Sequence, residues 1–250
     1  MSELWNVFIS VFINILLWIY NILGNFGVAI ILFTVLIKIV TWPLNASQMK
    51  GAKAMQDMQN DKEWQDIQKK YAKDKEKLSQ EQMRIYRERG INPFGSCLPT
   101  LIQFPIIIAL YQSITRALAT TPLDLLKLSR IINPDFLDVT KLIPLNSDFL
   151  WLNLGQPDPT YILAIVVAVT TYIQSKLTMP PSTNPNDQSA AMGQSMAITM
   201  PLMLGWFALT FPSGLAVYFI TSNALGIIQY AAQGKANWSN LLPKFMKKQP

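Results

Sequence analysis

The sequence predicts an all-α membrane protein with five transmembrane helices, and three observations predict it. Only 14% of the 250 residues are charged while 50% are hydrophobic, whereas a soluble domain carries about 25% charged residues. Five segments are charge-poor and come close to the roughly 20 apolar residues that a span requires. The 21 basic residues cluster between those segments in a pattern that alternates sides. The chain has no histidine and a single cysteine, Cys97. That removes the usual proton shuttle, an internal disulfide and a thiolate metal cage.

The elements follow in order. Residues 1–25 hold the uncharged stretch Leu4 to Leu23, whose Asn6, Ser10, Asn14 and Asn21 share one helical face. This reads as an amphipathic helix lying in the outer interface, with Trp5, Trp18 and Tyr20 as headgroup anchors. Hydropathy alone also admits a sixth span. No basic leader or cleavage site marks a signal peptide. Gly24, Asn25 and Gly27 redirect the chain into the first span, 26–45. Residues 46–93 are cytoplasmic and carry eleven Lys/Arg against eight Asp/Glu between Ala46 and Gly90. Trp64, Ile67 and Tyr71 follow helical spacing, and Ser79-Gln80-Glu81-Gln82 reads as a capping box that starts a second helix. The segment is thus either a charged helical hairpin turning near Lys73 to Lys77 or a solvated helical linker.

The second span is 94–117 and the acidic outer loop 118–159. The third span, 160–178, leads to a cytoplasmic loop, 179–195. Spans four and five are 196–211 and 212–232, and a basic tail, 233–250, closes the chain. The positive-inside rule puts the hairpin and tail in the cytoplasm, and the acidic loop and N-terminus outside. The three assignments agree with alternate crossing.

Polar groups inside the spans need a reason. Lys38 is the ionisable residue well inside a span, and a charge at a helix centre costs about 2.5–3.5 kcal/mol on insertion scales. It either snorkels to the interface marked by Trp42 and Pro43 or faces a wet cavity together with Thr34 and Thr41. Gln103 sits between Pro99 and Pro105, Gln174 near Thr170 and Thr171, and Ser222, Asn223 and Gln229 in the fifth span. Interhelical hydrogen bonding is their default use; converging faces would line a hydrophilic chamber. Met192, Met196, Met200 and Met203 form a stripe suited either to lipid packing or to varied apolar partners. No histidine triad, phosphate loop or intramembrane acid is present, which argues against an enzyme, an ATP-driven pump and a proton-coupled carrier.

The run Gly90-Ile91-Asn92-Pro93-Phe94-Gly95-Ser96-Cys97-Leu98-Pro99, continued by Gln103-Phe104-Pro105 and Ala109-Leu110-Tyr111, resembles the YidC membrane-protein insertase family. So do Phe211-Pro212-Ser213-Gly214-Leu215 with Tyr218 and Ser222-Asn223, Asp158-Pro159-Thr160-Tyr161, and Trp42-Pro43-Leu44. The resemblance extends to mitochondrial oxidase-assembly factors and the chloroplast Albino insertase. It implies a five-span core around a hydrophilic groove, closed outside and open to the cytoplasm and to lipid. The groove residues would be Lys38, Thr34, Gln103, Gln174, Tyr218 and Asn223. The family position of Lys38 is usually Arg, so one charge is kept while the bidentate fork is lost. Substrates would slide along the spans containing Pro99 and Pro105 and Met196, Met200 and Met203. The hairpin, through Trp64, Tyr71, Lys73, Lys75 and Lys77, would meet partners first.

The implied partners are nascent membrane proteins and the lipid bilayer, with the Sec translocon and the ribosome as further candidates. No DNA, nucleotide, metal or cofactor is implied. The implied location is the bacterial plasma membrane rather than a thylakoid, with the N-terminus outside and the C-terminus in the cytoplasm. The readings from other classes are a small-solute transporter or channel, and an assembly scaffold without insertase activity.

Overall fold

A computed structural model describes residues 3–59, 61–71, 74–90, 98–118, 126, 128, 131–132, 145–178, 188–234, 236 and 238. The motif residues 91–97, Lys73 and the tail beyond Trp238 lie outside them; so do the side chains of Lys75, Pro99 and Met192. Helix α1 (Glu3–Leu23) buries Ile9, Ile13, Leu16 and Leu17 and exposes Val7, Val11, Trp18 and Ile22. Both sides are apolar, as expected of a helix with protein on one side and lipid on the other. Two of its polar side chains reach the segment between the second and third spans. Asn14 donates to the Ile131 carbonyl (3.2 Å), and the Tyr20 hydroxyl accepts from Asn146 N (3.1 Å).

Gly24 (φ 67°) turns the chain, and Asn25 Oδ1 accepts from Val28 N to cap α2 (Phe26–Gln59). Ring contacts Tyr20–Phe26 and Phe12–Phe33 run α1 back along α2. The sequence reading ends the first span near residue 45; the helix itself continues to Gln59, with Pro43 inside it. The Ala-, Met-, Gln- and Lys-rich stretch after Leu44 has good helix formers and no stop signal. At 1.5 Å per residue α2 is about 51 Å long, so one helix joins the apolar stretch 26–46 to the helical hairpin that follows.

The hairpin is made of α3 (Lys62–Lys70) and α4 (Lys75–Glu88). Asp61 caps α3 through Glu63 N, and Asp74 caps α4 through Lys77 N at 3.1 Å. The expected start at Ser79 is therefore a turn late, because the Asp74 side chain takes the free amide first. Met58, Trp64, Ile67 and Ile85 form a small separate core. Arg89 closes its base on Asp61 (2.5 Å) and Glu63 (3.2 Å), and Arg84 bridges Glu63, Glu81 and Glu88. These neighbours raise both guanidinium pKa values and lower that of Asp61.

Helix α5 spans Leu98–Ala117. A two-residue hairpin, β1 (Asp148–Phe149) and β2 (Leu152–Asn153), pairs antiparallel with Phe149 opposite Leu152. Its tight loop takes Leu150 to φ 57°, as two-residue hairpins require at the first loop position. Nothing in the hydropathy pattern signals strands this short. Helices α6 (Ile162–Thr178), α7 (Gln188–Thr210) and α8 (Ser213–Ala232) follow. α6 and α8 run parallel: Asn223 reaches Thr170 and Thr171, and Gly226 lies against the Gln174 amide. α7 returns antiparallel on α6, with Gly205 against Ala164 and Ala168, a small-residue contact of the kind that lets membrane helices approach closely.

By length and composition α1, residues 26–46 of α2, and α8 are long and apolar enough to cross a membrane, while residues 162–178 and 195–210 are shorter apolar helices.

Candidate functional site

The N-terminal ends of α2 and α8 and the C-terminal end of α5 meet under the 145–158 segment. A Cβ placed on Gly214 would lie 3.1 Å from Ile30 Cδ1, 3.1 Å from the Leu154 carbonyl and 3.3 Å from Ile114 Cγ2. Two main-chain bonds, Ser213 N to Gln156 O and Gly214 N to Leu154 O, and Ser213 Oγ to Asn153 O fix α8 to this cover. The Phe149 ring occupies the space a side chain at Gly27 would need. This end is a seal of apolar side chains and paired backbone.

Asp158 locks the cover to α6. It is 3% exposed and accepts from Leu163 N (2.9 Å), Thr160 N (3.0 Å) and Thr160 Oγ1 (2.7 Å), with Trp151 as a further donor. Burial pushes the carboxyl pKa up, but these donors outweigh it and hold the pKa below its usual value. Tyr161, inside this loop, takes φ 60°.

Below the seal the character changes. Measured from Ile30, Thr34 is about 6 Å and Lys38 about 12 Å further along α2. Measured from Gly214 and Ile114, Ser222 is about 12 Å and Gln103 about 16 Å down their helices. Thr34 is fully buried and satisfies itself on the Ile30 carbonyl (2.7 Å). Gln103 Nε2 donates to the Tyr218 hydroxyl, and Ser222 hydrogen-bonds the same phenol. Tyr218 is 1% exposed. Leu32, Leu36, Ile39 and Val40 form the exposed stripe of α2, while Ile30, Thr34, Ile37, Lys38 and Thr41 lie on its buried or half-buried side. Lys38 thus faces protein rather than lipid, and among the described residues no carboxylate pairs with it. α5 touches α2 and α8 only sparingly, whereas α8 packs along α2 and α6.

Asn223 and Gln174, also predicted for the groove, contact a neighbouring helix. Asn223 is buried and donates to Thr170 Oγ1 (3.1 Å) and Thr171 Oγ1 (2.8 Å), so it belongs to the α6–α8 seam, as does Gln174. Sequence reasoning put them in the groove because a polar residue in a span does not reveal which seam it enters.

Comparison with known proteins places the chain. A family model described as "60Kd inner membrane protein" matches residues 18–237. The "Membrane protein insertase YidC" of Oceanobacillus iheyensis is 37% identical over 237 residues, covering 90% of this chain and 82% of that protein. The chain belongs to the YidC insertase family. The "Membrane protein insertase YidC 2" of Bacillus anthracis is 35% identical over 234 residues, covering 91% of this chain and 80% of that one. A crystal structure described as an active YidC insertase with its first transmembrane domain resolved superposes with a TM-score of 0.59 at 24% identity. That superposition covers 93% of this chain and 47% of the solved one, and it shows the shared fold.

The remaining predicted residues of this YidC-family chain are on its surface or in the hairpin core. Met196 and Met203 are exposed, Met200 is half-buried and Pro105 is exposed inside α5, beside exposed Phe104 and Ile108. Trp64 is 1% exposed, so it holds the hairpin together and is not available at its surface. Tyr71 is half-buried and Lys77 exposed. Sequence reasoning singled out Gln229 among the polar groups of the fifth span without naming it as a groove residue; it is 3% exposed and lies on the Tyr218–Ser222 face of α8. Its steps of four and seven residues from 218 were the available signal.

Proposed function

We propose that this protein inserts nascent membrane proteins into the bacterial plasma membrane without consuming nucleotide, acting also as a chaperone for their folding. The observation that carries this reading is the polar face of Thr34, Lys38, Gln103, Tyr218 and Ser222 lying beneath a sealed outer end. Such a groove is blind: it receives a polar segment from the cytoplasm but offers no path through. Lys38 holds acidic or polar parts of the incoming chain, because a cation beside lipid gains most from an anionic partner. The apolar part passes along Phe104, Pro105 and Ile108 of α5 and the Met196–Met203 face of α7 into lipid. Burial at about 25 cal/mol per Å² of apolar surface drives the step.

In this reading the bundle has five spans, and α1 dips obliquely into the outer leaflet. The contacts of Asn14 and Tyr20 with the 131–146 region support that placement, since they hold the second half of α1 beneath the outer loop. The hairpin and basic tail lie in the cytoplasm, where exposed lysines such as Lys77 meet substrates or delivery partners. A solute transporter would need water to pass the Gly214 contact, and a passive scaffold would have no use for an unpaired lysine in a span. Purified protein reconstituted alone with a small single-span substrate tests the proposal. Insertion must rise above that of empty liposomes, and equal insertion refutes it.

A further inference from the structure

Gln229 carries a buried amide nitrogen with no hydrogen-bond partner. On α8 it continues the stripe of Tyr218 and Ser222, between the face that binds α6 through Asn223 and Gly226 and the exposed side marked by Ala224 and Ile228. An unpaired buried donor is costly, more so than an apolar group of the same shape. Its neighbours on the stripe are satisfied: the Tyr218 phenol takes Gln103 and Ser222. Two sets of donors are thus left without a partner among the described residues, the three N–H groups of Lys38 and the Gln229 amide. Lys38 lies about 12 Å below the seal along α2, and Gln229 about 22 Å below it along α8.

We propose that Gln229 is a second substrate-binding position of the groove. Its amide donates to a main-chain carbonyl of the incoming polypeptide. This rests on the insertase reading of the same groove. It adds a donor that recognises backbone rather than side-chain charge, so it serves substrates whatever their sequence. In the state described here the amide is covered, and an arriving carbonyl supplies the acceptor it lacks.

The test uses the full chain in liposomes with a single-span substrate, comparing wild type with Gln229→Leu, and reads insertion rate and thermal unfolding together. The expected result is a variant at least as heat-stable as wild type that inserts about two- to tenfold more slowly, the worth of one neutral hydrogen bond. Unchanged insertion overturns the proposal. So does slower insertion with reduced stability, which would make Gln229 a structural residue. A photo-crosslinker at position 229 should capture stalled substrate while one at the exposed Ile228 should not; the reverse pattern overturns it as well. If wild type itself does not exceed empty liposomes, the insertase reading fails instead, and the two failures are distinct.

Discussion

Adding a single methyl group at Gly214 should loosen the seal over the ends of α2, α5 and α8, and the structure gives the size of the effect. The new Cβ would meet Ile30 Cδ1 and the Leu154 carbonyl at 3.1 Å and Ile114 Cγ2 at 3.3 Å. Each contact must give by a few tenths of an ångström. Ile30 can do so by turning its terminal methyl. The Leu154 carbonyl cannot, because it accepts from Gly214 N itself at 3.0 Å, with Ser213 bonded to Gln156 and Asn153 alongside. Backbone must part from backbone, so Gly214→Ala belongs with overpacked sites that cost about 1–3 kcal/mol. For a chain of this size that is about 2–4 °C of melting temperature per kcal/mol, measurable by thermal unfolding of the purified protein. Ile30→Val alone removes one methyl, but in the Gly214→Ala background it should restore only part of the loss, since the carbonyl contact remains. A Gly214→Ala protein as stable as wild type, or full rescue by Ile30→Val, would refute the claim that paired backbone closes this end.

Three further outcomes follow from the same contacts. Asp158→Ala removes the acceptor for three described hydrogen bonds at the start of α6 and should cost about 1–2 kcal/mol, as losing a helix cap does. Because the folded carboxyl pKa lies below its unfolded value, the Asp158 contribution is complete above about pH 4 and fades as pH falls through the folded value; acid titration of Asp158→Asn should lack that component. Lys38→Met should slow insertion of substrates with acidic translocated segments about tenfold to a hundredfold, the worth of a hydrogen bond to a charged group. Lys38→Arg should retain activity, and full activity of Lys38→Met in liposomes would remove Lys38 from the mechanism. Trp64→Ala empties the hairpin core, at about 3–5 kcal/mol for a buried aromatic. Limited trypsin digestion should then cut at Lys69, Lys70 and Lys77 while the spans stay intact.

What was legible in the sequence follows physical lines. The apolar helices were legible because lipid imposes a long run of hydrophobic residues. The α2 stripe of Leu32, Leu36, Ile39 and Val40 opposite Thr34, Lys38 and Thr41 could be read from helical period alone. Helix ends outside the membrane were less legible. α4 begins at Lys75 because the Asp74 carboxylate reaches an amide, and α2 runs to Gln59 because nothing stops it. The strands at 148–149 and 152–153 are too short to show a period. Among the candidate site residues, Lys38, Thr34 and Gln103 stood out as polar residues in apolar surroundings, and Tyr218 came with the family motif. Asn223 and Gln174 carried the same signal but belong to a seam, because only tertiary packing decides which neighbour a helix face meets.

That difference in packing has a mechanical side. α6, α7 and α8 are joined by close small-residue contact at Gly205 and by the two bonds of Asn223, and α2 packs along α8. α5 is anchored at its outer end, around Ile114, and crosses to α8 lower down through the Gln103–Tyr218 bond. Parting α5 from α8 below the Gly214 end therefore breaks one neutral hydrogen bond, worth about 1 kcal/mol net, and few other contacts, while α5 keeps its packing on α1. Parting α8 from α2 or α6, or α7 from α6, separates closely packed helices. On the insertase reading, the incoming chain takes the path that costs the fold least, and its own polar groups can take over the bonds that Gln103 and Tyr218 release. A groove built this way needs no external energy source to admit a segment. It needs only a closed outer end against which that segment stops.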